Sequence, residues 1–235
     1  MKKYILTMTF LAILCSCTKK NEQTNNSVIM PLKVGNYWEY IDSTFSNIGF
    51  TYSDTSRLTI SGSKIISFEG MSYHVFLWTW NSPYFQNSSF YVSNETNGLY
   101  FYGGTNGHRD FVLTKSLNCK FPVQAGELWY STEFSYNGTD SSIFIVDTVQ
   151  MQCASSNSVF KSKIGNTNCY SYQYIRTLPK ILNQVFVGSS GFKDTGGFST
   201  VNTLYYSPNI GYIGSIQTLD GIISFKKTLL SYHLN

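Results

Sequence analysis

The sequence predicts an all-β, antiparallel fold: a curved or barrel-like sheet, or a sandwich. From Pro31 onward, short runs of alternating apolar and polar residues recur along the chain, and Gly, Asn, Asp and Ser separate them. Phe, Tyr and Trp, which favour the half-buried surface of a sheet, make up 17% of the residues. No helical periodicity continues for more than about two turns.

The chain begins with a segment typical of a secretion signal. Lys2 and Lys3 provide a positive start, and the mostly apolar stretch Ile5–Leu14 follows. This stretch is too short to span a hydrocarbon core, which needs about 20 residues. Its length fits the apolar region of a signal peptide.

The end of this segment resembles the bacterial lipobox. In Leu14-Cys15-Ser16-Cys17, a small residue precedes a cysteine, as the lipobox requires. We therefore expect residues 1–16 to be a lipoprotein signal peptide and Cys17 to carry the lipid. Cys15 is the competing candidate, but cleavage before it would place the bulky Leu14 at a position that needs a small residue.

The residues after Cys17 predict a lipid anchor followed by a tether. By resemblance to bacterial sorting rules, the absence of Asp at Thr18 favours the outer membrane. Whether the protein faces the periplasm or the cell surface stays open. Residues 17–30 are predicted to be the lipidated cysteine and a flexible, mostly polar linker.

The alternating runs give the predicted strands, in order. They are Tyr37–Phe45, Arg57–Ile60, Ser72–Trp80, Phe90–Ser93, Leu99–Tyr102, Glu127–Tyr136, Ile143–Cys153, Cys169–Ile175, Leu204–Ser207, Tyr212–Thr218 and Ile222–His233. Asp220-Gly221, between the last two runs, suits a two-residue type I′ hairpin turn. Pro179–Val185 is predicted to be a short helix.

Three pairs of segments are similar and follow in the same order, which indicates an internal duplication. They are PLKVGNYWEY from Pro31 and PVQAGELWYS from Pro122, then GMSYHVFLW from Gly70 and GNTNCYSYQY from Gly165, and finally YVSNETNGLY from Tyr91 and YYSPNIGYI from Tyr205. We infer two similar β units, the first repeat at 31–120 and the second at 121–235. Whether they share one sheet or form two lobes stays open.

Two of these segments resemble a broad group of Bacteroidota envelope lipoproteins. The group has a PLxVGNxWxY opening strand and a YYSPxIGxIxxI closing strand. The matching residues are Pro31, Leu32, Val34, Gly35, Asn36, Trp38 and Tyr40, then Tyr205, Tyr206, Ser207, Pro208, Gly211 and Ile213. The resemblance implies a fold and an envelope location, but no reaction.

Charge and cysteine content exclude several functional classes. Loss of the signal peptide would lower the formal net charge from +4 to +2, which predicts no nucleic-acid partner. Cys119, Cys153 and Cys169 show no zinc-ligand spacing, so no metal or cofactor is expected. They are either small buried hydrophobes, or one disulfide with a free thiol.

The sequence predicts no enzyme. His108-Arg109-Asp110 resembles the tripeptide of a kinase catalytic loop, but Lys115 stands where that loop has asparagine. No serine lies in a GxSxG turn. We therefore expect a non-catalytic domain; a glycan hydrolase is the least favoured alternative, since paired carboxylates are recognised only in space.

The aromatic strand SYHVFLWTW gives the candidate binding residues. His74, Phe76, Trp78 and Trp80 are predicted to point one way and the intervening residues the other. If accessible, Trp78 and Trp80 would form a platform for a glycan or a lining for a lipid. The alternative is that both faces are buried.

We therefore expect an envelope lipoprotein whose β domain binds a glycan, a lipid or a partner protein. A structural or assembly partner of an outer-membrane complex is the alternative, and it predicts an exposed apolar patch.

Overall fold

The structure of the chain is a computed structural model. It describes residues 28–46, 49–82, 85–105, 110–137, 140–177, 184–186, 192–194 and 199–235. The predicted signal peptide, Cys17 and the tether up to residue 27 lie outside the described residues.

The described residues form fourteen strands and no helix, which confirms the all-β prediction. The strands are β1 Tyr37–Ser46, β2 Gly49–Phe68, β3 Met71–Ser82, β4 Phe85–Glu95, β5 Gly98–Thr105, β6 Asp110–Lys120, β7 Leu128–Asn137, β8 Asp140–Ser162, β9 Gly165–Thr177, β10 Gln184–Phe186, β11 Phe192–Asp194, β12 Ser199–Ser207, β13 Gly211–Leu219 and β14 Ile222–His233. Accordingly, this part of the chain contains no helix long and apolar enough to cross a membrane.

The short helix predicted at Pro179–Val185 is wrong at its end. Gln184–Phe186 is strand β10 and pairs antiparallel with β11. Val185 and Phe186 are residue types that favour strands, and the partner strand supplies the hydrogen bonds. Residues 179–183 lie outside the described part of the chain.

Twelve strands form one antiparallel sheet, in the order β6-β5-β4-β3-β2-β1-β14-β13-β12-β9-β8-β7. The two end strands, β6 and β7, are consecutive in the chain and contact each other through side chains, so the sheet is barrel-like and nearly closed. The two β units therefore share one sheet. The two halves of the sheet have the same strand order. In the second half, the strands that take the places of β1 to β6 are β7, β8, β9, β12, β13 and β14.

The loops that lead into β1 and β7 make the same backbone hydrogen bonds. Gly35 N donates to Ile60 O (2.9 Å), and Ile60 N donates to Asn36 O (2.9 Å). The second unit has the same pair of bonds, from Gly126 N to Cys153 O (2.8 Å) and from Cys153 N to Glu127 O (3.0 Å). Gly35 and Gly126 have φ angles of 93° and 89°, which favour glycine, so the shared glycine has a backbone cause.

The folded domain begins earlier than the predicted linker allows. Ile29 and Met30 are 1% and 0% exposed. Asn209 N donates to Val28 O (2.9 Å), and Asn94 Nδ2 donates to Met30 O (2.6 Å). Residues 28–30 therefore belong to the folded domain and not to the linker predicted for residues 17–30, because they pack against both β units.

Side chains of β3 alternate between two hydrophobic clusters, as the sequence predicts. Phe76, Trp78 and Trp80 pack with the main core inside the sheet. Val75 belongs to a second cluster with Ile66, Tyr91 and Tyr102, and Tyr73 and Leu77 pack against it. Both faces of this strand are thus covered along most of its length.

The three cysteines Cys119, Cys153 and Cys169 are buried free thiols in the main core. Burial raises the pKa of each thiol. They therefore remain protonated at neutral pH and pack as small hydrophobes.

Candidate functional site

The predicted binding residues do not form an exposed platform. Trp78 is 6% exposed, and its ring lies edge-on to Phe101 with the centroids 5.4 Å apart. Trp80 is half-buried and stacks on Tyr40 at 5.4 Å. Both tryptophans therefore fill the interior of the first β unit, because the curled sheet encloses the face that they share.

Strand registers identify the equivalent interior positions of the two units. Trp38 pairs with Leu58, and Leu58 pairs with Trp80 on its other side. The corresponding residues of the second unit are Trp129, Met151 and Tyr174. Two residues further along, Tyr40 pairs with Ser56, whereas Ser131 pairs with Val149.

A charged and aromatic cluster fills this position in the first unit. Lys227 Nζ donates to Asp42 Oδ1 (2.5 Å) and to Ser56 Oγ (2.8 Å). The ammonium lies 4.2 Å from the centroid of Trp80 and 5.3 Å from that of Tyr40. Lys227, Asp42 and Ser56 are 6%, 5% and 3% exposed, so the pair is a buried, hydrogen-bonded ion pair.

The second unit has a cavity at the equivalent position, which we call the interior cavity. Its volume is about 130 Å³, and it is partly open to solvent. Its lining residues are Asn118, Ser131, Thr132, Val149, Met151, Tyr174 and Leu204. The physical cause is side-chain size: Ser131 stands where the first unit has the ring of Tyr40, and Tyr174 where it has the larger Trp80.

Two buried amide oxygens near the lining have no hydrogen-bond partner in the described part of the chain. Asn118 Oδ1 is buried and makes no hydrogen bond. Nearby, Asn202 Nδ2 donates to the hydroxyl of the lining residue Tyr174 (2.8 Å), while Asn202 Oδ1 is also buried without a partner. A buried polar group without a hydrogen bond costs about 1–3 kcal/mol. Both oxygens have almost no accessible surface, so neither offers an acceptor to a molecule in the cavity.

The interior cavity lies beside the place where the sheet is not closed, the seam between β6 and β7. At the other junction of the two units, residues Tyr37–Thr44 of β1 pair with β14. At the seam, Thr132 N donates to Ser116 Oγ (2.6 Å), and Trp129 Nε1 donates to Leu117 O (3.1 Å). Among the residues that the structure describes, β6 and β7 are not neighbours in the sheet, so side chains join them.

The seven described lining residues carry no charge at neutral pH. None of these seven is a carboxylate, histidine, lysine or cysteine. Over the described ranges, no three His, Cys, Asp or Glu side chains come together as metal ligands would. Asp110 begins β6, whereas His108 and Arg109 lie outside the described residues.

Lys227 gives the domain a specific pH dependence. Burial lowers the pKa of its ammonium to about 8, although Asp42 opposes this shift. An unfolded lysine titrates near about 10.4, so between about pH 8 and 10.4 the unfolded chain binds more protons and stability rises with pH. Below about pH 8 the burial cost of the ammonium is fully present.

We expect the free energy of unfolding to rise by about 1–2 kcal/mol between about pH 8 and pH 9.5, relative to the double variant Asp42→Leu/Lys227→Met. Urea denaturation at a series of pH values measures this difference. Parallel pH profiles for the two proteins would show that Lys227 does not titrate in this range.

Sequence reasoning missed the interior cavity, although one signal of it is present. The alignment of the two opening segments places Tyr40 beside Ser131, a change from a large to a small side chain. The signal becomes meaningful only when the position is known to face the interior.

No protein-family model and no curated protein matches this chain. Two solved structures are similar to it, each with 9% sequence identity. One, from Bacteroides fragilis, is described as an exported protein with a YmcC-like fold. The TM-score is 0.46, and the matched region covers 88% of this chain and 100% of the Bacteroides fragilis chain. The other, from Parabacteroides distasonis, is described as a lipoprotein. The TM-score is 0.43, and the matched region covers 88% of this chain and 99% of the Parabacteroides distasonis chain.

Proposed function

We propose that this protein is a membrane-anchored envelope lipoprotein whose non-catalytic β domain binds a small ligand in the interior cavity. The observation that supports ligand binding is the cavity itself. It lies beside the open seam and is partly open to solvent, and its lining combines polar side chains, such as Ser131 and Thr132, with apolar ones, such as Val149 and Leu204. A site of this kind, apolar with a few convergent polar groups, is the usual form of a small-molecule site.

The proposed anchor is a lipid on Cys17, in the outer membrane. It is supported by the lipobox resemblance and by the polar residues that follow. Because the folded domain begins at Val28, residues 18–27 form the tether. Ten extended residues reach at most about 35 Å, so the domain would stay close to the membrane surface.

The size of the interior cavity restricts the ligand. Its volume of about 130 Å³ is close to that of an engineered cavity of about 150 Å³ that holds benzene. The enclosed part of a ligand would thus be about six non-hydrogen atoms. A glycan or a lipid would place one end in the cavity, with the rest of the molecule outside the seam.

Filling the cavity tests this proposal. We expect Ser131→Tyr to remove binding, because the new ring would occupy the volume that Tyr40 occupies in the first unit. Full-length protein purified from envelope membranes is denatured, and mass spectrometry identifies the small molecules that are released. We expect a compound from the wild type that Ser131→Tyr retains at less than a tenth of the amount.

The matched control is Gln150→Ala, since Gln150 is an exposed residue between the lining residues Val149 and Met151. It should retain the compound at the level of the wild type. Equal release from the wild type and Ser131→Tyr, or no released compound from either, would contradict the proposed function.

A further inference from the structure

The tip of the hairpin between β8 and β9 has one buried and one exposed face. Phe160 is 4% exposed and packs in the main core. Its neighbours Val159 and Lys161, on the other face of β8, are exposed, and so are the turn residues Lys163 and Ile164. We call these four exposed residues the basic tip. Val159 and Ile164 are 61% and 39% exposed, so the basic tip combines apolar surface with two cations.

No neighbouring carboxylate neutralises the basic tip. Residues 148–193 contain five Lys or Arg and no Asp or Glu. Among the side chains that the structure describes, Lys161 and Lys163 form no ion pair. The corresponding turn of the first unit, between β2 and β3, consists of Glu69 and Gly70 and has no lysine. The positive charge is therefore specific to the hairpin of the second unit.

Hydrogen bonds place the basic tip beside the point where the tether joins the described domain. Val28, the first described residue, accepts a hydrogen bond from Asn209 N (2.9 Å), in the turn after β12. Ser207, at the end of β12, donates through Oγ to Asn168 O (2.9 Å). Asn168 in turn pairs with Val159 of the basic tip. The tip and the tether therefore lie at the same end of the sheet.

The basic tip has a fixed position at this end. Lys163 N donates to Leu229 O of β14 (3.0 Å), so the turn is hydrogen-bonded to the sheet. Residues 18–27, which connect the proposed lipid on Cys17 to Val28, reach at most about 35 Å. The bilayer would therefore lie within reach of the tip. The opposite end of the sheet, which the nine residues of β13 reach, is about 30 Å further away.

From these contacts we infer that the basic tip binds the negatively charged lipid head groups of the membrane in which the protein is anchored. The inference rests on the proposed lipid anchor and adds a second membrane contact to it. An anionic surface favours contact by about fivefold for each lysine close to it. The long lysine stems and the apolar side chains of Val159 and Ile164 can enter the region between head groups and acyl chains.

Fluorescence quenching by a nitroxide on the lipid head group measures this contact. Full-length lipidated protein is reconstituted in vesicles of phosphatidylcholine and phosphatidylglycerol in a three-to-one ratio. Bimane is attached at Asn166→Cys, beside the turn, or at Thr51→Cys, at the opposite end of the sheet; both positions are exposed. Cys119, Cys153 and Cys169 are buried, so the introduced thiol is the one that reacts.

We expect the nitroxide to quench the label at Asn166→Cys at least threefold more strongly than the label at Thr51→Cys. The difference should disappear in vesicles of phosphatidylcholine alone. It should also disappear in 1 M salt, where the screening length falls to about 3 Å.

Charge variants that carry the Asn166→Cys label locate the contact. Lys161→Gln/Lys163→Gln should weaken the contact equilibrium by about 25-fold, since each lysine contributes about fivefold. The matched control is Thr51→Glu/Thr55→Glu, which lowers the net charge by the same amount at exposed positions of the opposite end. It should leave the quenching unchanged. Circular dichroism checks that each variant is folded.

The outcomes separate the tip from the anchor. If the protein enters the vesicles but Asn166→Cys is quenched no more than Thr51→Cys, the anchor stands and the inferred contact is wrong. Quenching that persists without phosphatidylglycerol, or without both lysines, would also overturn the inference, because the contact would not depend on charge. If the full-length protein does not associate with vesicles at all, the proposed anchor fails, and the inferred contact fails with it.

Discussion

Replacement of Asp42 by alanine is expected to lower the free energy of unfolding by about 3–5 kcal/mol, because it leaves a buried charge without its partner. Lys227 is 6% exposed, and its ammonium has Asp42 and Ser56 as hydrogen-bond acceptors. In the variant, Ser56 and the faces of Tyr40 and Trp80 remain, and neither a hydroxyl nor a ring replaces a full negative charge. Urea denaturation measures the loss.

An exposed ion pair that joins β1 to β2 provides the matched control. Glu39 and Arg57 are 3.6 Å apart, with side chains 39% and 47% exposed. Glu39→Ala should cost only about 0–1 kcal/mol, since water screens this pair. Asp42→Leu/Lys227→Met, which removes both buried charges, should recover most of the stability. A loss for Asp42→Ala no larger than for Glu39→Ala would show that the interior pair is solvated.

Cys17→Ser is expected to abolish membrane anchoring. The cysteine thiol is the group that would carry the lipid, and serine cannot form the same thioether. Each buried acyl methylene contributes about 0.8 kcal/mol, and stable anchoring needs more than one chain, so loss of the lipid leaves no comparable membrane attachment. Fractionation of cells and incorporation of an alkyne-labelled fatty acid measure the effect.

Cys15→Ser is the control, because Cys15 lies in the segment that is expected to be cleaved. It should still incorporate the label and remain with the membranes. Labelling that persists in Cys17→Ser and disappears in Cys15→Ser would assign the lipid to Cys15. Labelling of neither the wild type nor the variants would contradict the lipoprotein assignment.

Local features of the fold could be predicted because they depend on neighbouring residues. Asp220 and Gly221 have positive φ angles of 48° and 81°, as the predicted type I′ turn requires. Trp78 and Val75 lie on opposite faces of β3, as a period of two dictates. β2 was harder to predict: it spans Gly49–Phe68, whereas alternation marks only Arg57–Ile60, because the rest is held by pairing with β1 and β3.

The candidate site could not be predicted in the same way, because it depends on contacts between distant parts of the chain. Lys227 and Asp42 are 185 residues apart, and each alone suggests only a polar position in a strand. The cavity arises where β6 meets β7 without a backbone ladder in the described part of the chain. Alternation shows which residues share a face, but not whether that face is filled.

By itself, the sequence determined the strand class, the alternation of faces and the final hairpin, because these follow from spacing along the chain. Only the tertiary structure decided that the two units share one sheet, that Ile29 and Met30 are buried, and that Trp78 and Trp80 fill the interior. It also decided that Ser131 lines a cavity, whereas the ring of Tyr40 stacks on Trp80. The physical reason is that burial and packing depend on which strands become neighbours. β1, for example, pairs with β14, at the opposite end of the chain.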